Sequence, residues 1–148
     1  MNNKTDSTPL IIPGLQSLYS AVSPLVTLYM RVIAGVAFMV HGWPKINNPM
    51  GAVGMVESIG FYPGSLWAPL LAGTEFIGGL LLLLGLLTRP AAVATSCVLL
   101  VTTYFHWIFK SEGYGGAETS LLWLGLTMYF AAHGGGRFSL DRMLGKQF

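Results

Sequence analysis

This sequence contains few charged residues. Lysine, arginine, aspartate and glutamate make up 9% of its 148 residues, against about 25% in an ordinary soluble domain. Hydrophobic residues make up 53%, and the mean hydropathy is +0.60. The chain is therefore predicted to be an integral membrane protein. Its formal net charge of +2 comes without a basic run, which gives no basis for nucleic-acid binding.

Cysteine is nearly absent as well, because Cys97 is the only one. A single thiol excludes an intrachain disulfide, a cysteine-rich metal site and an iron–sulfur cluster held by cysteines of one chain. The three histidines show neither H-x-x-H nor H-E-x-x-H spacing, so we expect no metal site and no covalently bound cofactor. Residues 1–14 read as a polar N-terminal tail that lacks the pattern of a removable signal peptide.

Apolar segments dominate the rest of the chain. Four of them are long enough to be predicted membrane spans, at about 25–43, 66–87, 91–109 and 115–133. Two amphipathic segments, about 15–22 and 50–59, are predicted interfacial helices. The expected fold is all-α, a single four-span membrane bundle over residues 15–148.

Four spans place both termini on one side of the membrane. That side would carry Lys4, Arg89, Arg137, Arg142 and Lys146, whereas the opposite side would carry only Lys45 and Lys110. Positively charged loops stay in the cytoplasm. The sequence therefore predicts a multi-pass membrane protein with cytoplasmic termini.

A lone carboxylate stands out in the second span. Glu75 lies within the otherwise apolar stretch from Leu66 to Leu87, where an unpaired charge costs at least ~2.5 kcal/mol. Counting residues from the outer ends of the first two spans places Arg31 at a similar depth. We therefore predict a buried Arg31–Glu75 pair, which could either hold the bundle together or belong to a functional site.

Polar groups also gather near the predicted outer interface. Counting along each span brings His41, His106 and Glu118 to one level, with Lys45 just above them. These four residues are our candidates for a quinone or substrate pocket, because a quinone head group needs hydrogen-bond donors and a proton carrier. Tyr104 and Trp107 could stack on its ring, or could be ordinary interfacial aromatic residues.

Three strings carry a family resemblance, RVIAGVAFMVHGWPK (31–45), EFIGGLLLLLGLLTRP (75–90) and GGGRFSLD (134–141). In these strings the sequence resembles the DoxX family of small four-span bacterial membrane proteins, which implies a location in the bacterial inner membrane. The residues on the family pattern are Arg31, His41, Gly42, Lys45, Glu75 and Arg89. The family name comes from a relation to a membrane subunit of thiosulfate:quinone oxidoreductase. Other members resemble partners in membrane oxidoreductase assemblies. The soluble-domain-like subunit that accompanies the thiosulfate enzyme is absent from this chain.

Three functions remain open at this point. The first is a quinone-interacting membrane subunit of an oxidoreductase complex, with no redox centre of its own, so that electrons arrive from a protein partner. The second is a non-enzymatic membrane scaffold or assembly factor, and the third is a small-solute or proton transporter. Catalytic residues stay unassigned, and besides the lipid bilayer the expected partners are a complex subunit and, optionally, further copies of the chain.

Overall fold

The computed structural model describes residues 10–146, which fold as an α-helical bundle without a β-strand in that range. The predicted all-α fold class is confirmed. The helices are α1 (Gln16–Asn47), α2 (Val53–Ser58), α3 (Gly64–Leu84), α4 (Thr88–Tyr104), α5 (Gly113–His133) and α6 (Leu140–Met143). A short 3-10 turn precedes α1, and a π-helical turn, Phe105–Phe109, extends α4. Residues 1–9 of the predicted polar tail lie outside the described part of the chain.

The first helix is longer than predicted. The segment 15–22 is not a separate interfacial helix, because residues from Gln16 onward form the first turns of α1. Pro24 and Pro44 both lie inside this 32-residue helix. A proline removes its own N–H from the helical ladder, but α1 continues through both prolines, so the predicted span 25–43 lies inside a longer helix. At ~1.5 Å per residue α1 is ~48 Å long, which exceeds a ~30 Å hydrocarbon core.

The bundle has two ends, which we name by their short helices. The α2 end carries α2 and the loop between α4 and α5, and the α6 end carries the α3–α4 turn and α6. Within the described residues, three segments are long and apolar enough to cross a membrane, namely Pro13–Asn47, Gly64–Leu84 and Thr88–Phe109. The fourth long helix, α5, has the same length as α3 and packs along α4.

Small residues and a few large apolar ones form the core. Helix α1 packs mainly on α3, and α4 packs on both α3 and α5. Phe38, Leu82, Leu99 and Phe130 are buried where these helices meet. The α4–α5 pair also shares a buried hydrogen bond between Ser96 Oγ and Thr127 Oγ1, at 2.7 Å.

The ends of the short elements use familiar capping chemistry. Gly85 ends α3 in the left-handed conformation, with φ +67°, which glycine adopts without steric cost. Ser139 caps α6, because its Oγ accepts a hydrogen bond from the Arg142 backbone N–H at 3.3 Å. The Asp141 N–H donates to the Gly85 carbonyl at 2.9 Å, which holds the C-terminal segment against the α3–α4 turn.

Candidate functional site

Glycine sets the distance and the register between α1 and α3. A methyl group added at Gly35 would lie 2.6 Å from Leu83 N, and one added at Gly42 would lie 2.6 Å from Phe76 N. The two backbones are therefore in direct contact, as small residues permit between membrane helices. Seven residues separate the two contacts on each helix, which fixes an antiparallel register that places Glu75 near Gly42.

This register gives Glu75 a different partner from the one predicted. Its Oε2 lies 2.5 Å from Lys45 Nζ, and Lys45 also donates to the His41 carbonyl at 3.2 Å. The predicted Arg31–Glu75 pair is wrong. The sequence count took Trp43 and Leu66 as level, but the contacts of Gly35 and Gly42 place Trp43 about level with Glu75, nine residues further along α3. The Glu75 carboxylate is thus buried and paired with Lys45, which lies one turn of α1 after His41.

Arg31 points toward the α6 end instead. Its side chain is 1% exposed and donates hydrogen bonds to three backbone carbonyls, those of Leu82 (3.3 Å), Leu83 (3.2 Å) and Phe138 (2.6 Å). The C-terminal carbonyls of a helix lack intrahelical donors, and a cation there is favourable. Arg31 therefore binds the end of α3 to the C-terminal segment rather than taking part in the site at the α2 end.

A cavity of about 800 Å³ occupies the α2-end half of the bundle. Its polar lining includes His41, Lys45, Thr74, Glu75, Thr102, His106 and Ser120. Its apolar lining includes Phe38, Phe61, Trp67, Leu71, Val98, Leu99, Phe105 and Trp123. One side is closed by Met55 and Val56 of the short helix α2 and by Ile59, which follows it directly. A volume of this size is typical of small-molecule sites.

The cavity changes character along its length. The histidines and Lys45 stand near the α2 end, whereas Ala94 and Cys97, which also line it, lie near the middle of α4. Ala94 and Cys97 are both accessible to solvent-sized molecules. The cavity therefore combines a polar end with an apolar body that reaches the mid-depth of the bundle.

His106 stands at this polar end in a second acid–base pair. Its Nδ1 lies 2.6 Å from Glu112 Oε2, and Lys110 Nζ lies 3.6 Å from the other carboxylate oxygen. The hydrogen bond with His106 is the main cause that lowers the pKa of Glu112, and the Lys110 charge acts in the same direction. Because Glu112 engages Nδ1, Nε2 is the ring nitrogen left for another partner.

Local backbone geometry positions this pair. His106 lies in the π-helical turn, where the Lys110 N–H bonds to the Phe105 carbonyl at 2.9 Å. Such turns occur often at functional sites. A methyl group at Gly116 would collide with the Glu112 side chain, so glycine in the first turn of α5 leaves room for the carboxylate.

Three of the four pocket candidates meet in the cavity. His41, Lys45 and His106 line it, whereas Glu118 is an exposed residue that does not. The prediction that Glu118 lies in the pocket was wrong. Its side chain is exposed on α5, whereas its neighbours Thr119 and Ser120 line the cavity. Tyr104 and Trp107 are exposed and do not line the cavity either. Among the described residues, no three His, Cys, Asp or Glu side chains group as metal ligands.

Two further polar residues were not predicted to matter. Glu112 lies two residues after Lys110, and no motif in the sequence connected it with His106, six positions earlier. Asp141 is 4% exposed and accepts hydrogen bonds from Leu87 N (2.7 Å), Thr88 N (2.9 Å) and Thr88 Oγ1 (2.7 Å). Aspartate is a common partner for free N–H groups at the start of a helix, but here it comes from a distant part of the chain.

The fold and the cavity define a small integral membrane bundle with a pocket that is polar at one end and apolar along its body. The chain belongs to the DoxX family, whose family model matches residues 26–107. Relatives named as inner membrane proteins, together with the apolar helices, make it a bacterial inner membrane protein.

Three relatives illustrate the family. The chain is 32% identical to the inner membrane protein YqjF of Escherichia coli over 82% of this chain and 93% of the relative. It is 34% identical to the Bacillus subtilis protein named "Putative oxidoreductase CatD", over 78% of this chain and 84% of the relative. It is 32% identical to the membrane protein Rv3486 of Mycobacterium tuberculosis, over 91% of each. No solved structure matches the chain significantly.

Proposed function

We propose that the protein is the membrane subunit of a quinone-linked oxidoreductase complex and that it binds quinone in the cavity at the α2 end. The observation that carries this proposal is the division of that cavity into a polar end and an apolar body. A quinone has the same division, because its ring bears two carbonyl oxygens and its tail is a hydrocarbon.

The polar end offers hydrogen-bond donors and proton carriers. Lys45 is an ammonium donor beside Glu75, and His106 keeps Nε2 available while Glu112 holds its other ring nitrogen. A histidine oriented by a carboxylate is a common arrangement for general acid–base chemistry. Since Glu112 is exposed at the surface, the His106–Glu112 pair could pass protons between the cavity and water.

The apolar body suits a hydrocarbon tail. Leu71, Val98 and Trp123 line it, and it extends past Ala94 and Cys97 at the middle of α4, where a long tail would lie close to the lipid. Quinone reduction takes up two electrons and two protons. In this proposal a partner subunit supplies the electrons, while the residues of this chain bind the ring and handle the protons.

Family and topology give further support. One relative carries an oxidoreductase name. The distribution of lysine and arginine favours a cytoplasmic α6 end, which would place the polar end of the cavity near the outer face. A solute path through the bundle has less support, because Thr95, Ser96 and Thr127 between the cavity and the α6 end are buried and hydrogen-bonded to helix groups.

The single cysteine gives a direct test of occupancy. Because Cys97 lines the cavity, a bound quinone should shield it from alkylation by a maleimide in detergent-solubilised protein. A fully substituted ubiquinone analogue avoids addition of the thiol to the ring. At a concentration about ten times its Kd, we expect it to slow alkylation about tenfold, and His106→Ala and Glu75→Gln should require more quinone for the same protection.

Glu118→Gln is the matched control, since Glu118 is exposed at the same end but does not line the cavity. It should be protected like the unchanged protein. Two results would overturn the proposal: no protection by the quinone, or equal protection by an alkane alcohol of the same chain length. The second result would define an unspecific apolar pocket.

A further inference from the structure

The surface at the α6 end carries positive charge almost without compensation. Arg137, Arg142 and Lys146 are exposed there, and Arg89 is half-buried nearby. Among the described residues the only carboxylate at this end is Asp141, which is 4% exposed and accepts three hydrogen bonds from the start of α4. The exposed charges of the segment 137–146 are therefore all basic.

Apolar side chains alternate with these charges. Phe138 is 48% exposed, Met143 80% and Leu144 63%. A purely acidic partner would match the basic groups but leave these three side chains without apolar contacts. A membrane surface matches both, since phosphate groups bind Arg and Lys while the boundary of the acyl chains takes up Phe, Met and Leu.

The fold holds this segment at the depth where head groups lie. Arg31 Nη2 donates to the Phe138 carbonyl at 2.6 Å, and the Asp141 N–H donates to the Gly85 carbonyl at 2.9 Å. The first contact fixes the segment to the middle of α1 and the second fixes it to the C-terminal end of α3, and both helices are long enough to span a membrane. The basic and apolar side chains are therefore kept at the end of the bundle, where the hydrocarbon gives way to the polar layer.

We propose that the segment 137–146 is a binding surface for anionic phospholipids, with Arg137, Arg142 and Lys146 contacting the head-group phosphates. This surface is independent of the quinone cavity, because it lies at the opposite end of the bundle. It would enrich anionic lipid around this end of the protein and fix the depth of the C-terminal segment.

Native mass spectrometry of the purified full chain tests the proposal. Phosphatidylglycerol and phosphatidylcholine with the same acyl chains are titrated in parallel, and Kd is measured for the first bound lipid. We expect tighter binding of phosphatidylglycerol in the unchanged protein. The triple variant Arg137→Gln, Arg142→Gln, Lys146→Gln should lose about fivefold in affinity for each charge removed, until the two lipids bind alike.

Two controls make the result decisive. In the described structure these three side chains donate no hydrogen bond, so the triple variant should keep the Tm of the unchanged protein. Lys110→Gln removes an exposed charge at the α2 end and should leave phosphatidylglycerol affinity unchanged. Equal affinity of the unchanged protein for both lipids, an unaffected triple variant, or an equal loss in Lys110→Gln would each overturn the proposal.

Discussion

The Lys45 ammonium on α1 and the Glu75 carboxylate on α3 lie 2.5 Å apart at the polar end of one cavity. The Glu75 side chain is 10% exposed and that of Lys45 is 28% exposed, so the acid is the more deeply buried partner. Each charge thus compensates the other in a site largely removed from water. The pair ties the packing of the first and third helices to the chemistry of the cavity.

The losses of stability from removing Lys45 and Glu75 should not be additive. Glu75→Gln or Lys45→Met alone leaves one charge or donor without its partner, and we expect each to cost about 1–3 kcal/mol. The double variant should be less destabilised than the sum of the two. Tm measured for all four proteins in one detergent checks this, and strictly additive losses would show that the pair is not coupled.

The glycine contacts between α1 and α3 predict a sharp contrast between two similar substitutions. Gly42→Ala places a methyl group against the Phe76 backbone, and such overpacking costs about 1–3 kcal/mol. Gly73→Ala on α3 meets nothing within 4 Å, so it should be neutral or stabilising by up to about 1 kcal/mol. Thermal unfolding separates the two, and an equal Tm would contradict the register described here.

Asp141 should matter for stability despite lying near the C-terminus. Asp141→Ala leaves two backbone N–H groups and the Thr88 hydroxyl without their acceptor, at about 1–3 kcal/mol for a buried unsatisfied group. The variant should have a lower Tm and a C-terminal segment that is cleaved more readily in limited proteolysis. Arg142→Gln, an exposed neighbour, serves as control and should change neither. Normal protease resistance in Asp141→Ala would argue against this role.

The sequence predicted the fold class correctly, but it predicted the contacts between side chains poorly. Hydropathy and length located the four long helices, because apolar composition determines which segments enter a bilayer. The Arg31–Glu75 pair failed because register depends on where glycines let two backbones touch, which periodicity does not reveal. Asp141 was not singled out, because its partners Leu87 and Thr88 lie more than fifty positions away along the chain.

The His106–Glu112 contact predicts a pH-dependent stability difference. The pKa of Glu112 is lowered in the folded protein, chiefly by its hydrogen bond with His106. Its contribution is therefore fully present above the unfolded-state pKa and is lost as the pH falls through the lower folded-state value. The Tm difference between the unchanged protein and Glu112→Gln should shrink on acidification. Glu118→Gln, which makes no hydrogen bond among the described residues, should show no such trend, and a difference that is constant with pH would contradict the assignment.

The residues of the cavity were predicted only in part. Counting residues along each helix was enough to predict that His41, Lys45 and His106 lie close together, because all three stand near the α2 end of the bundle. Helix rotation was not predictable from one sequence, so Glu118 was included although it faces outward. The π-helical turn at His106 and the resulting contact with Glu112 depend on local backbone geometry, for which the sequence carried no signal.

Quinone content is the measurement that tests the central claim most directly. The protein is purified in mild detergent and extracted with organic solvent, and quinone per chain is determined by mass spectrometry. We predict close to one quinone per chain, a clear loss in His106→Ala and Glu75→Gln, and retention in Glu118→Gln. Trace quinone at the same level in all four proteins would contradict a quinone site in this cavity.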